Sequence, residues 1–286
     1  MQTREELGHT GLALVMWLYF QAMSLPRAVA VVPLALGTLA LGIPLDATAT
    51  PWAQPVVSIW TWTALGWVVA RAAPLHRVEL AACVVLATAG ELFLKDVWGL
   101  YEYRLGNLPL FIPAGHALVF AAAARMSALA PRWLPGAVVA GCVATVAYGA
   151  VRGYDTFGVV WGLAFIAFVW RSANPRLCAT LFLFALIIES YGTALGGWRY
   201  YAVEPWFGLT TTNPPVWIGA IYCTLETLVR VTAKAFDRLA GGRVAASAMG
   251  MDSACDGAGR RVTVWALPVQ APANSSSGAN RKGTTR

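Results

Sequence analysis

The chain is 286 residues long, 58% of them hydrophobic and only 12% charged, and it carries a formal net charge of +7. Soluble domains average about 25% charged residues, so this composition excludes an ordinary soluble protein and indicates a chain surrounded mostly by lipid. Most Lys and Arg residues fall in short gaps between apolar runs or in the C-terminal tail. That placement orients membrane helices and argues against nucleic-acid binding.

The apolar runs are long and do not alternate with polar residues, so they predict helices rather than barrel strands. We therefore predict an all-α fold, a polytopic transmembrane helical bundle of about eight spans. The predicted spans lie near residues 28–45, 56–73, 76–95, 109–129, 134–151, 155–171, 176–197 and 214–232.

The two ends of the chain differ from this core. Segment 1–26 contains a shorter apolar run, 11–24, which predicts either an interfacial helix or a short ninth span. Its first residues are too acidic for a signal peptide, so we predict no cleaved leader. Residues 240–286 are rich in Gly, Ala, Ser and Asn and predict a disordered cytoplasmic tail.

The cations concentrate in every second gap between the predicted spans. The residues on this side are Arg27, Arg71, Arg77, Arg125, Arg132, Arg171, Arg176, Arg230, Lys234 and Arg238. By the positive-inside rule this side is cytoplasmic, so both ends of the eight-span core lie inside. We expect a multi-pass protein of the cell inner (plasma) membrane, surrounded by membrane lipids and compatible with a homo-oligomer.

The halves 27–130 and 131–239 resemble each other. Glu91 and Glu189 each close a long apolar run, and each is followed by a cluster of aromatic residues. Glu91 to Tyr103 and Glu189 to Tyr201 are both twelve residues apart. With four spans per half, the pattern predicts a parallel 4+4 duplication about an axis along the membrane normal. The alternative is a chance similarity between interfacial loops.

Glu91 and Glu189 are the leading candidates for chemistry. A carboxyl at the edge of the hydrocarbon is costly unless it is paired, protonated or faces a wet cavity. Burial favours the neutral acid, which is the form that can protonate an olefin. Lys95, four residues after Glu91, offers a structural alternative as the partner of a helical ion pair.

His116, early in the fourth predicted span, is the third catalytic candidate, as a proton shuttle or the partner of Glu91. The alternative is a packing residue. Five residues are candidates for lining a substrate cavity: Trp98, Tyr103, Trp198, Tyr201 and Asn213. For the aromatic residues the alternative is the interfacial belt of membrane proteins, and for Asn213 it is simple helix capping.

Other polar residues predict structure rather than catalysis. Glu226 precedes Arg230 by four residues, which favours an ion pair toward the cytoplasmic end of the last span. The five cysteines are scattered singly and the three histidines lack ligand spacing, so we predict no metal site and no cofactor.

Glu189, Gly192 and Gly196 form the pattern E-x-x-G-x-x-x-G, followed by Trp198 and further aromatic residues. This pattern resembles carotenoid-modifying membrane proteins, the group of the carotenoid hydratase and the heterodimeric-type lycopene cyclase. The resemblance covers about a quarter of the chain and implies acid-initiated hydration or cyclisation of a polyprenoid, with Glu189 and, by the repeat, Glu91 as the positions carried over. The first half has Leu92-Phe93-Leu94 where the glycine spacing would fall.

These observations favour a membrane-embedded enzyme that acts on a hydrophobic lipid or polyprenoid by acid catalysis. The alternatives are a small-molecule or lipid transporter and a non-catalytic assembly subunit.

Overall fold

The structure, a computed structural model, describes residues 30–48 and 52–240, and within these ranges the chain is mostly helical. The α-helices are α1 (Val31–Thr48), α2 (Ala53–Arg71), α3 (Pro74–Leu92), α4 (Phe111–Leu129), α5 (Leu134–Arg152), α6 (Phe157–Arg171), α7 (Pro175–Ala194) and α8 (Ile218–Leu239). Each predicted span corresponds to one of these helices, which confirms the helical fold class. The predicted N-terminal segment 1–26 and tail 240–286 lie almost wholly outside the described residues.

Three of the described helices, α4, α5 and α7, are long and apolar enough to cross a membrane, and α1 and α6 are shorter apolar helices. Helix α8 is less apolar because it carries Glu226 and, in its second half, Arg230 and Lys234. Helix α3 carries His76 and Glu79. Much of α4 and α7 is covered by other parts of the chain. These features support a membrane protein with polar residues inside its bundle.

The helix boundaries have local causes. Pro74 and Pro175 stand in the first turns of α3 and α7, where a missing backbone N–H costs nothing. The Asn174 side chain accepts a hydrogen bond from the N–H of Leu177 at 3.2 Å and caps α7. Helix α5 ends at Gly153, whose φ of +78° favours glycine.

Helices α3, α4, α7 and α8 form the centre of the bundle. Helix α3 packs against α4 and α8, and α7 packs against the same two helices. Around this centre, α2 contacts α4 and α6 contacts α8, while α1 pairs with α2 and α5 with α6. The outermost helices differ in their further contacts. Helix α1 also contacts α4 and α7, whereas α5 also contacts α7.

A small antiparallel ribbon lies at one end of this centre and was not predicted. Strand β1 (Tyr101–Tyr103) follows α3, and strand β2 (Trp198–Tyr200) follows α7. Tyr101 pairs with Tyr200 and Tyr103 with Trp198. The ribbon therefore holds the chain segments that follow the two central helices against each other.

Candidate active site

The inner face of the ribbon is aromatic. Side chains alternate between the two faces of a strand, so Tyr101, Tyr103, Trp198 and Tyr200 are buried on one face. The ring centroids of Tyr101 and Tyr200 are 5.0 Å apart, and those of Tyr103 and Trp198 are 6.0 Å apart. Each of the four rings carries a polar hydrogen, so this face supplies four donors to the helix ends below it.

Glu91, near the end of α3, accepts two of these hydrogen bonds. The hydroxyls of Tyr101 and Tyr103 both donate to its Oε2, the second at 2.7 Å. Its other oxygen, Oε1, lies 3.4 Å from Nε2 of His116 on α4. The structure thus brings Glu91, His116 and Tyr103 together.

The orientation of His116 restricts its protonation. Its Nδ1 lies 3.0 Å from the carbonyl oxygen of Ile112. A carbonyl can only accept, so Nδ1 carries a hydrogen and Nε2 faces Glu91. The imidazole thus presents Nε2 to Oε1 of Glu91. The imidazole also stacks on Tyr222 of α8, with ring centroids 5.1 Å apart.

Glu189, near the end of α7, is bonded in a similar way. Its Oε2 accepts hydrogen bonds from the indole of Trp198 at 2.6 Å and from the hydroxyl of Tyr200 at 3.0 Å. The residue is 7% exposed. Its Oε1 accepts no hydrogen bond from the part of the chain that the structure describes. Glu189 thus has one carboxyl oxygen available to a bound molecule.

Gly192 makes the Glu189 contact with Trp198 sterically possible. A Cβ at this position would lie 2.0 Å from Cη2 of Trp198. The indole therefore occupies the space that any other residue at 192 would fill. Gly196 has a φ of +75° and turns the chain from α7 toward β2. Gly192 thus has a role in the site and Gly196 in the turn that follows α7.

The alternative partner of Glu91, Lys95, lies elsewhere. Residues Phe93–Val97 form a π-helical segment, which holds one residue more per turn than an α-helix and so breaks the i,i+4 alignment. Lys95 instead pairs with Asp96 and donates to the carbonyl of Gly106. The alternative ion pair between Glu91 and Lys95 is therefore absent from the described structure.

The buried tyrosines remain donors at neutral pH. Burial, reinforced by the carboxyl groups beside them, raises the pKa of Tyr101, Tyr103 and Tyr200 well above the ordinary value. Their hydroxyls thus stay protonated and keep pointing hydrogens at Glu91 and Glu189. The site has fixed donors on the ribbon side and carboxyls on the helix side.

Three predicted cavity residues make other contacts. The indole of Trp98 donates to Glu204 at 3.0 Å. Tyr201 is exposed and its hydroxyl donates to Glu102 at 3.0 Å, on the outer face of the ribbon. The side chain of Asn213 accepts a hydrogen bond from the backbone N–H of Tyr200 at 3.0 Å. Asn213 therefore supports strand β2 and does not cap α8.

Sequence reasoning did not single out four residues that the structure makes prominent: Tyr101, Tyr200, Tyr222 and Glu204. The alternation Tyr-Glu-Tyr and Trp-Arg-Tyr was the available signal for the first two, because a period of two indicates a strand. Glu204 sits in an apolar, aromatic loop, where an unpaired carboxylate is costly. Tyr222 carries no local signal that distinguishes it from a packing residue.

Glu226 and Arg230 form the predicted ion pair, which is confirmed. Glu226 is, however, the ninth of the 22 residues of α8, so it lies nearer the start of the helix than the predicted cytoplasmic end. Among the described residues, no group of three or more His, Cys, Asp or Glu side chains could hold a metal ion.

No protein-family model, curated protein or solved structure matches the chain significantly.

Proposed function

We propose that the chain is a membrane-embedded enzyme that acts on a polyprenoid or similar lipid by acid catalysis. One observation carries the proposal: Glu189 is buried beneath an aromatic ribbon, with Oε2 held by two donors and Oε1 free of hydrogen bonds from described residues. A neutral carboxylic acid in an apolar site is the group that protonates an olefin.

The two carboxyls have different surroundings, which supports a division of labour. Glu189 donates the proton from Oε1 to one carbon of a double bond, whose π electrons form the new C–H bond. The cation that remains is stabilised by the faces of the surrounding aromatic rings. Glu91, with His116 beside it, then accepts a proton as the cation collapses by cyclisation or by addition of water. Proton exchange between the two carboxyls restores Glu189.

We also propose that the halves arose by duplication. The ribbon supports this, because its register is symmetric if Tyr101 matches Trp198 and Tyr103 matches Tyr200, an offset of 97 residues. Gly99 and Gly196 keep the same offset, and both have a φ of +75° two residues before their strands.

The offset between Glu91 and Glu189 is 98 residues, one more than along the ribbon. The π-helical segment Phe93–Val97 accounts for the difference, because it holds one extra residue between the first glutamate and its strand. The matching contacts of α3 with α4 and α8, and of α7 with α8 and α4, also support the duplication.

For the topology we propose eight spans in the cell inner membrane, with both ends of the core in the cytoplasm. The ribbon supports this count. Strands β1 and β2 pair directly, so both lie on one side of the membrane. The four helices between them in sequence, α4 to α7, then make an even number of crossings. The cation-rich gaps then face the cytoplasm, and the ribbon and its glutamates face outward.

The experiment is an untargeted analysis of lipids and pigments in matched cells with and without the chain. We expect a polyprenoid to be consumed and a product of equal mass, or of one added water, to accumulate. Lipid and pigment profiles that do not change when the chain is expressed would contradict the proposal.

A further inference from the structure

A second group of buried ionisable side chains lies on the same two helices, away from the ribbon. On α3, Nδ1 of His76 is 3.2 Å from Oε2 of Glu79. On α8, Glu226 forms an ion pair with Arg230 and is 4% exposed. We call His76, Glu79, Glu226 and Arg230 the inner cluster. The chemistry proposed for Glu91 and Glu189 uses none of these residues.

The inner cluster and the glutamate site both include residues of helix α3. Helix α3 packs directly against α8. Glu79 and Glu91 lie twelve residues apart on α3, and Cys83 and Ala87, both buried, fill the same stripe at intervals of four residues. At 1.5 Å per residue, His76 lies about 22 Å from Glu91 along the axis. Ionisable groups thus lie at the two ends of a stretch that covers most of a hydrocarbon layer about 30 Å thick.

Helix α8 places Tyr222 between the inner cluster and the glutamate site. Tyr222, Glu226 and Arg230 follow one another at intervals of four residues, so they share one face of the helix. The Tyr222 ring stacks on His116, and its hydroxyl lies within electrostatic range of both Glu91 and Glu189. One turn further, about 6 Å along the axis, Glu226 lies within electrostatic range of Glu79.

The inner cluster contains both acidic and basic side chains. Glu226 pairs with the partly exposed guanidinium of Arg230. Glu79 lies beside the imidazole of His76. The other groups around Glu226 are the exposed Lys234 on α8 and the buried thiols of Cys178 on α7 and Cys223 on α8. The inner cluster thus combines carboxyl, imidazole and guanidinium groups inside the bundle.

We propose that the polar side chains of α3 and α8 conduct protons between the inner cluster and the glutamate site, by way of Tyr222. Chains of carboxyl and imidazole groups inside a membrane are the usual components of proton relays. A proton leaves a carboxyl of the inner cluster, the Tyr222 hydroxyl accepts it while releasing its own, and Glu91 or Glu189 receives it. Each transfer breaks one O–H bond and forms one, and bridging water spans steps too long for a direct hydrogen bond.

The proposal can be tested without any organic substrate. The purified full-length chain is reconstituted into liposomes that contain a pH-sensitive dye, and a potassium gradient with valinomycin sets the membrane potential. We expect internal acidification faster than in liposomes without protein. Replacing Tyr222 by Phe removes only a hydroxyl that makes no hydrogen bond to a described residue, and it should slow this flux at least about tenfold.

Tyr201→Phe is the matched control, since it removes an exposed hydroxyl on the outer face of the ribbon, and its flux should equal that of the wild type. Glu79→Gln provides a second test that leaves the pair of Glu226 and Arg230 intact, and it should also slow the flux. A wild-type flux equal to that of empty liposomes would overturn the proposal. So would undiminished flux in both Tyr222→Phe and Glu79→Gln. Neither result depends on whether a polyprenoid product is found.

Discussion

Tyr101 and Tyr200 pair across the two-stranded ribbon, their ring centroids lie 5.0 Å apart, and each donates its hydroxyl to a different glutamate. Two carboxyls that are 98 residues apart in the chain are thereby held beneath one short structural element. Since each carboxyl also accepts a second hydrogen bond, from Tyr103 or from Trp198, movement of the ribbon would disturb both together.

Gly192→Ala tests the fit between α7 and the ribbon. The new methyl group would overlap the ring of Trp198, which must then move away from Glu189. We expect a loss of about 1–3 kcal/mol in the free energy of unfolding, the usual cost of overpacking, measured in detergent. Gly90→Ala in α3 is the control, because nothing lies within 4 Å of the added carbon. Trp198→Tyr should restore part of the loss, and equal stability of the two alanine variants would contradict this fit.

Glu204 predicts a dependence of stability on pH. Burial alone would raise its pKa, but hydrogen bonds from the indole of Trp98 and from the backbone N–H groups of Leu209, Trp206 and Phe207 outweigh burial and hold the pKa below its ordinary value. Ionised Glu204 therefore stabilises the fold above the ordinary glutamate range, near pH 4.3. This contribution is lost as the pH falls through the lowered value.

Thermal unfolding of the wild type and Glu204→Gln from pH 7 down to about pH 3 measures this contribution. The variant should be less stable at pH 7, and the difference should shrink on acidification. Glu102→Gln is the control, because Glu102 is exposed and, among the described residues, its side chain accepts a hydrogen bond from Tyr201 alone. A difference between wild type and Glu204→Gln that grows on acidification would contradict the assignment.

The helical framework could be predicted from the sequence because hydrophobic runs determine it locally. The predicted segment 109–129 corresponds to α4, Phe111–Leu129, for example. Glu91 and Glu189 could be singled out for the same reason, since an acid that ends an apolar run is conspicuous. These are properties of neighbouring residues and need no knowledge of tertiary contacts.

The ribbon and its register could not be predicted from the sequence, because two three-residue strands are too short to show a clear period. Aligning Glu91 with Glu189 made Tyr201 the counterpart of Tyr103. A slip of one residue moves a side chain to the other face of a strand. Tyr200 is consequently buried beside Glu189, and Tyr201 is exposed. The π-helical segment, which causes the slip, has no signature in the local sequence.

Glu226→Gln should lower the free energy of unfolding more than a substitution of an exposed residue does. It would leave Arg230 without its charged partner inside the bundle. Breaking a buried ion pair costs about 3–5 kcal/mol, and we expect the lower end because Arg230 is partly exposed. The double variant Glu226→Gln, Arg230→Gln should recover part of the loss. Unfolding in detergent measures both, and a double variant less stable than the single one would contradict this explanation.

Reporter fusions test the eight-span topology. Fusions after Arg132 and after Arg176 should report the cytoplasm, because both follow helices whose ends are rich in cations. Fusions within 46–55 and within 202–212 should report the outside. Two or more sites on the unexpected side would exclude the proposed orientation and number of spans.

The most direct measurement is the amount of product formed per molecule of Glu189→Gln, compared with wild type at equal abundance in the membrane. Glutamine keeps the shape and polarity of the side chain but has no transferable proton, so we predict a loss of 10²–10⁴-fold, typical of a missing general acid. Glu102→Gln, on the outer face of the ribbon, should keep wild-type activity. A Glu189→Gln protein that forms product at the wild-type rate would contradict acid catalysis by this residue.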